Sequence, residues 1–233
     1  MPNPPSRIVK YAILSHRWLD EGEPTYEEMK SGTKLEKFCE KALEYDVEFA
    51  WSDTCCIDKN SSTELDESIR SMFRWYANSH ICITHLAQSE TIEDIMDDEW
   101  AERGWTLQEL LAPGRIRLAT DIPHDALYGI APARCKTTRV EDVAYSLMGI
   151  FDVTLQISYG EGGDRAFCRP IEAITQAGDP SVLNWRGQAA EHHSSNAIPR
   201  SPQNFVGRTL GFPPDPSREP LEMTMTSLGL RCL

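Results

Sequence analysis

VEFAWSDTCCIDKNSSTELDESIRSMFRWYANSHICITHL, residues 47–86, is the stretch whose reading decides the fold. Apolar and polar residues alternate from Val47 to Trp51, which predicts a strand over Val47–Asp53. A polar loop follows. Ser61-Ser-Thr-Glu64 then offers a capping box, a hydroxyl for backbone N–H groups with a carboxylate three residues on. Leu65, Ile69, Met72, Phe73 and Tyr76 fall on one helical face, and His80–Leu86 reads as the next strand. Strand, helix and strand in this succession form a crossover unit of a parallel sheet.

The same rhythm extends both ways. Upstream, Tyr11-Ala-Ile-Leu-Ser15 is strand-like, and Lys34–Tyr45 places Leu35, Phe38, Cys39, Ala42 and Leu43 on one helical face until Asp46 ends it. Downstream, a helix is expected over Asp98–Leu111, stopped by Pro113-Gly114, and a fourth strand over Arg115–Leu118. The fold class is therefore α/β, a three-layer core with a mostly parallel sheet flanked by helices. In such sheets, sites form beyond the carboxyl ends of the strands. Further helices are expected over Val140–Phe151 and Ala166–Gln176. From Gly178 onward Pro, Gly, Ser and His dominate, which predicts a loosely held tail and an irregular C-terminal appendage. The expected division is a tail over 1–8, a main domain over 9–151 and a C-terminal region over 152–233.

Thirty-six acidic against 23 basic residues give a net charge of -13, which argues against nucleic acid and anionic membrane surfaces as partners. No apolar run approaches the roughly 20 residues of a membrane span, and Met1-Pro-Asn-Pro-Pro5 lacks the pattern of a signal peptide. A cytoplasmic location is expected. Cys39, Cys55, Cys56, Cys82, Cys135, Cys168 and Cys232 show no CxxC pairs, so reduced thiols packed as small apolar side chains are expected, Cys55 and Cys56 among them, with a reactive thiol at the sheet's top edge as the alternative reading of that pair. No metal ligand set is assigned. The acidic run Glu90–Glu102 lacks the spacing of a calcium loop and reads as a solvated face. Tyr159-Gly-Glu-Gly-Gly163 lacks a phosphate-binding register and reads as a turn. An ordinary hydrolase or transferase finds no support in a Walker loop or nucleophile elbow.

Five phrases carry a more specific signal: YAILSHRW from Tyr11, WSDTCCIDKNSSTELDESIRSMFRWY from Trp51, RGWTLQELLAPG from Arg103, EDVAYSLMGIFDV from Glu141 and YGEG from Tyr159. In this order they resemble the successive blocks of the fungal heterokaryon incompatibility (HET) domain. The resemblance runs from Val9 to Phe205, includes Ser201-Pro-Gln-Asn-Phe205, and places the HET domain over 9–151. The chain departs from the pattern at Ser52, where an apolar residue is usual, and in a short stretch between Leu118 and Arg134. The resemblance implies an effector in fungal non-self recognition and programmed cell death, an innate-immunity role with a sensor or NOD-like receptor protein as partner. It also implies a distant likeness to TIR domains, some of which cleave NAD with one glutamate.

That likeness supplies the site assignments. Glu64 is the candidate catalytic carboxylate, with NAD as substrate and no cofactor; the competing reading of Glu64 is a capping carboxylate. Ser15, His16, Trp18, Asp53, Arg103, Trp105, Gln108 and Glu109 are candidates for binding substrate. Ser15-His16 also fits a strand-end turn. Arg103, Trp105, Gln108 and Glu109 equally fit a buried polar network tying a helix to the sheet. The alternative function is a non-catalytic interaction module acting by self-association, a homo-oligomer.

Overall fold

A computed structural model describes residues 9–17, 33–86, 89, 94, 98–118, 137, 139–178, 180–193, 196–205, 223–226 and 229–232. The tail over 1–8, Trp18 and the short stretch 119–136 lie outside the described residues. The chain divides into two compact units, Met1–Ile130 and Ala131–Leu233.

In the first unit the element order is β1 (Tyr11–His16), α1 (Thr33–Leu43), β2 (Phe49–Trp51), α2 (Ser62–Asn78), β3 (Ile81–His85), α3 (Thr106–Leu111) and β4 (Ile116–Leu118). Among the described residues these strands form one sheet in the order β2-β1-β3-β4, and every pairing is parallel. Central β1 pairs Ala12 with both Ala50 and Ile81, so both its edges are hydrogen-bonded, and side chains on both its faces are buried under helices. Strand alternation then sorts the core. Ala12, Leu14, Ile81 and Ile83 face α1 through Phe38 and Ala42. Ile13, Cys82 and Ile116 face α2 and α3 through Met72, Tyr76 and Leu110. The reversal of direction after β2 explains why α1 and α2 cover opposite faces, because right-handed crossovers that run in opposite directions must. This is the three-layer parallel core that the sequence predicts.

The boundaries have local causes. Asp46 takes a left-handed φ of 57°, which ends the turn after α1. Ser61 caps α2 by accepting the N–H of Glu64 at 3.3 Å. The helix expected from Asp98 begins only at Thr106. Asp98 accepts the N–H of Trp100 on its own carboxylate at 2.8 Å, and the turn this closes competes with helix initiation.

The second unit contains α4 (Asp142–Met148), α5 (Gly163–Gln176) and a hairpin of β5 (Met223–Thr226) with β6 (Gly229–Cys232). Between α4 and α5 the Tyr159–Gly163 turn wraps a carboxylate: Glu141 Oε1 accepts the N–H groups of Gly160 and Gly162, each at 3.0 Å. Both glycines have left-handed φ, 91° and 85°, which a side chain would strain. The segment after α5 is irregular but partly anchored, with Val182, Ala190 and Ile198 buried and Trp185 Nε1 donating to the Ala197 carbonyl. None of the described helices is long and apolar enough to cross a membrane.

Candidate functional site

The sheet's direction reverses between β1 and β3, and in a parallel α/β sheet the carboxyl ends of such strands are where a ligand crevice opens. Here that position is filled by polar side chains. Ser15, on the same face of β1 as Ile13, donates its hydroxyl proton to Glu109 Oε2 of α3 at 2.6 Å. Trp100 Nε1 donates to the same Ser15 oxygen at 2.9 Å. The Arg103 guanidinium donates to the His16 carbonyl at 2.5 Å and lies 3.7 Å from Asp53 Oδ2 in the loop after β2. His16 Nδ1 stands 3.9 Å from the other oxygen of Asp53. Tyr76 closes the group from α2, its hydroxyl donating to the Leu14 carbonyl at 2.9 Å.

The cluster is closed except at Arg103, whose side chain is partly exposed. Ser15 is 0% exposed, His16 and Trp100 are 1% exposed, and Glu109 is 2% exposed. Burial, the largest influence, raises the Glu109 carboxyl to about 7 against the lowering effect of Arg103; Asp53 adds to the rise and the Ser15 bond subtracts from it. Tyr76 is held well above its usual range, first by burial and then by Glu109. Since the Ser15 proton goes to a carboxylate, Ser15 and His16 form no nucleophile–base pair. What this geometry does well is bind the ends of β1, the loop after β2 and α3 to one another through charge-assisted bonds.

Of the sequence candidates, the structure thus brings Ser15, His16, Asp53, Arg103 and Glu109 together. Gln108 is 1% exposed, and its amide nitrogen has no hydrogen-bond partner among the described residues. Trp105 is half-buried against the core of Ile13, Cys82 and Leu110. Trp18 lies outside the described residues. Glu64 stands elsewhere: it is exposed at the first turn of α2, where its Oε1 accepts the Asp58 N–H at 3.0 Å. Both ends of the expected capping box therefore act, although the carboxylate reaches Asp58 rather than the N-cap residue.

Sequence reasoning missed Trp100 and Asp98. The acidic run around them reads as a solvated face, yet Asp98 is 1% exposed and accepts from Ser89 Oγ at 2.9 Å. A tryptophan set among carboxylates was the available signal, because a buried indole seeks a polar partner for its N–H.

Residues 11–91 match the family described as heterokaryon incompatibility protein (HET). The vegetative incompatibility protein HET-E-1 of Podospora anserina is similar at 38% identity over 223 residues, covering 73% of this chain and 16% of that protein. The chain therefore corresponds to a small part of that relative's length. No solved structure matches the chain.

Proposed function

Because the chain belongs to the heterokaryon incompatibility (HET) family of fungal proteins, we propose that it is an effector of non-self recognition that drives programmed cell death by cleaving NAD at Glu64. One observation carries the catalytic part. Of the three candidate carboxylates, Asp53 and Glu109 are buried in the fold, whereas Glu64 is presented at the surface with Oε1 fixed by the Asp58 N–H. Only an accessible carboxylate can meet a ribose.

The chemistry asks little else of the protein. When the bond between nicotinamide N1 and ribose C1′ breaks, its electron pair moves to the ring nitrogen and neutralises the leaving group. The ribose becomes oxocarbenium-like, and an ionised carboxylate beside C1′ stabilises that charge. A water oxygen then adds to C1′ and releases a proton. Holding Glu64 by one oxygen from a backbone donor orients the carboxylate before substrate arrives.

The test is NAD consumption by purified chain at high protein concentration, with Glu64→Ala and Glu67→Ala alongside and folding followed by circular dichroism. The expected result is a loss of at least about 100-fold in turnover confined to folded Glu64→Ala. No turnover in any form would sink the enzymatic reading. A second reading, signalling by self-association, draws on Phe49, 57% exposed on outer strand β2. It requires concentration-dependent assembly that Phe49→Lys abolishes.

A further inference from the structure

Two adjacent thiols leave β2 in unlike surroundings. The Ser52 carbonyl accepts the N–H of Cys55 at 3.3 Å and of Cys56 at 2.8 Å, curling the backbone into a tight turn. In that turn Cys56 Sγ receives the Ser52 N–H at 3.5 Å, and Cys55 Sγ lies 3.9 Å from Cys56 Sγ. Cys55 is 6% exposed and packs as the sequence predicts. Cys56 departs from that expectation, because it is only half-buried and its sulfur receives a backbone N–H.

We propose that Cys55 and Cys56 form a two-electron redox pair, in which a hydroperoxide oxidises Cys56 and Cys55 resolves the product into a vicinal disulfide. The donors decide the order of events. The Cys55 S–H, and to a lesser degree the Ser52 N–H, stabilise a Cys56 thiolate and bring it down to about 7 despite burial and Asp53. The same contact holds Cys55 far above the usual thiol range, with burial adding to it. Geometry assigns the roles: Cys56 is the more exposed thiol and its sulfur receives the Ser52 N–H, whereas the Cys55 S–H is buried and also faces the Ser52 carbonyl at 3.9 Å, so Cys56 is the nucleophile and Cys55 the reserve thiol.

The Cys56 sulfur attacks the terminal peroxide oxygen. The O–O bond breaks, its electron pair leaves on the second oxygen, which takes a proton from water, and the sulfur becomes a sulfenic acid. Cys55 then no longer faces a negative sulfur and can give up its proton. Its sulfur attacks Cys56, the S–S bond forms, and the sulfenic oxygen departs as water with the Cys55 proton. Two thiols and one hydroperoxide thus yield one disulfide, one alcohol or water from the peroxide, and one further water. Adjacent Cα atoms are only about 3.8 Å apart across a trans peptide, shorter than the usual disulfide span, so the closed ring is strained and readily reduced. Closure reshapes the turn that also carries Asp53, which faces His16 and Arg103.

The site is independent of Glu64 and is tested without NAD. Reduced full chain is treated with stoichiometric hydrogen peroxide, quenched with an alkylating reagent and digested with trypsin. The peptide of residues 42–59, bounded by Lys41 and Lys59, contains both thiols. It is expected to lose two hydrogens, resist alkylation at both sites, and recover with dithiothreitol. In Cys55→Ser the sulfenic acid persists on Cys56 and is trapped by dimedone. In Cys56→Ser oxidation at Cys55 slows by about tenfold or more. In the unmutated chain Cys56 is expected to react about tenfold faster than exposed Cys39. Equal rates at Cys39 and Cys56, or a bridge between those two residues, would overturn the proposal whether or not the variants fold.

Discussion

Two glutamates, one in each unit, both expose little surface, but Glu109 lies deep in its core and Glu141 close to the surface, and their environments push them in opposite directions. Glu109 receives one hydroxyl proton, from Ser15, and burial raises its carboxyl to about 7. Glu141 receives its own N–H and those of Gly162 and Gly160, which hold it below the ordinary carboxylate range against the cost of burial. Enclosure alone therefore does not fix the charge of a carboxyl group. Depth below the surface and the number of backbone donors aimed at it decide together, because deep burial penalises the ionised form and each N–H stabilises it.

The largest expected effect comes from the well-supplied carboxylate. Glu141→Ala leaves two glycine N–H groups of the Tyr159–Gly163 turn without their acceptor, one of them exposed enough to rehydrate, and a loss of about 1.5–2 kcal/mol in urea unfolding is expected. A loss below half a kcal/mol would break the comparison.

The next effect is one of pH. Glu109 has a folded value above its unfolded one, so its contribution to stability is complete below the ordinary carboxylate range and is lost as pH rises through about 7. Unfolding free energy should fall across that window, by at most about 1.4 kcal/mol per pH unit from this group. Glu109→Gln should remove that slope. A variant that keeps the wild-type slope would show that another group carries it. Glu141 acts with the opposite sign: its contribution is present above the unfolded carboxylate value and disappears as pH falls through the depressed folded one.

The smallest effect sharpens the contrast with an exposed site. Ser61→Ala removes the cap that accepts the Glu64 N–H, with an expected cost of about 1 kcal/mol by thermal unfolding. A null result there would mean that the Glu64 carboxylate and water satisfy the first turn without Ser61.

Much of the core was legible from residue spacing. The apolar face from Leu65 to Tyr76 and the compact runs at Tyr11 and Ile81 specify helix and strands because periods of 3.6 and 2 decide which side chains share a face. The alternation over Val47–Trp51 located β2 but not its packing: the strand spans only Phe49–Trp51, Phe49 is exposed, and Val47 and Trp51 pack on different layers. The capping box at Ser61 placed the start of α2 for the same local reason. Local patterns misjudged the segment from Asp98 to Trp105, where a side-chain bond to the backbone displaces helix and Asp98 turns inward while Asp94 stays exposed.

The sequence by itself determined the α/β class, the order of its elements and, through its ordered motifs, the HET family. Tertiary structure alone decided that Ser15 and Glu109, distant in sequence, are hydrogen-bonded at 2.6 Å, that Trp100 joins them, and that Glu64 is exposed at the surface. The physical reason is range. Periodicity and capping act within a few residues, whereas the charge and exposure of a carboxyl group depend on every donor and apolar neighbour that folding brings within a few ångströms of it.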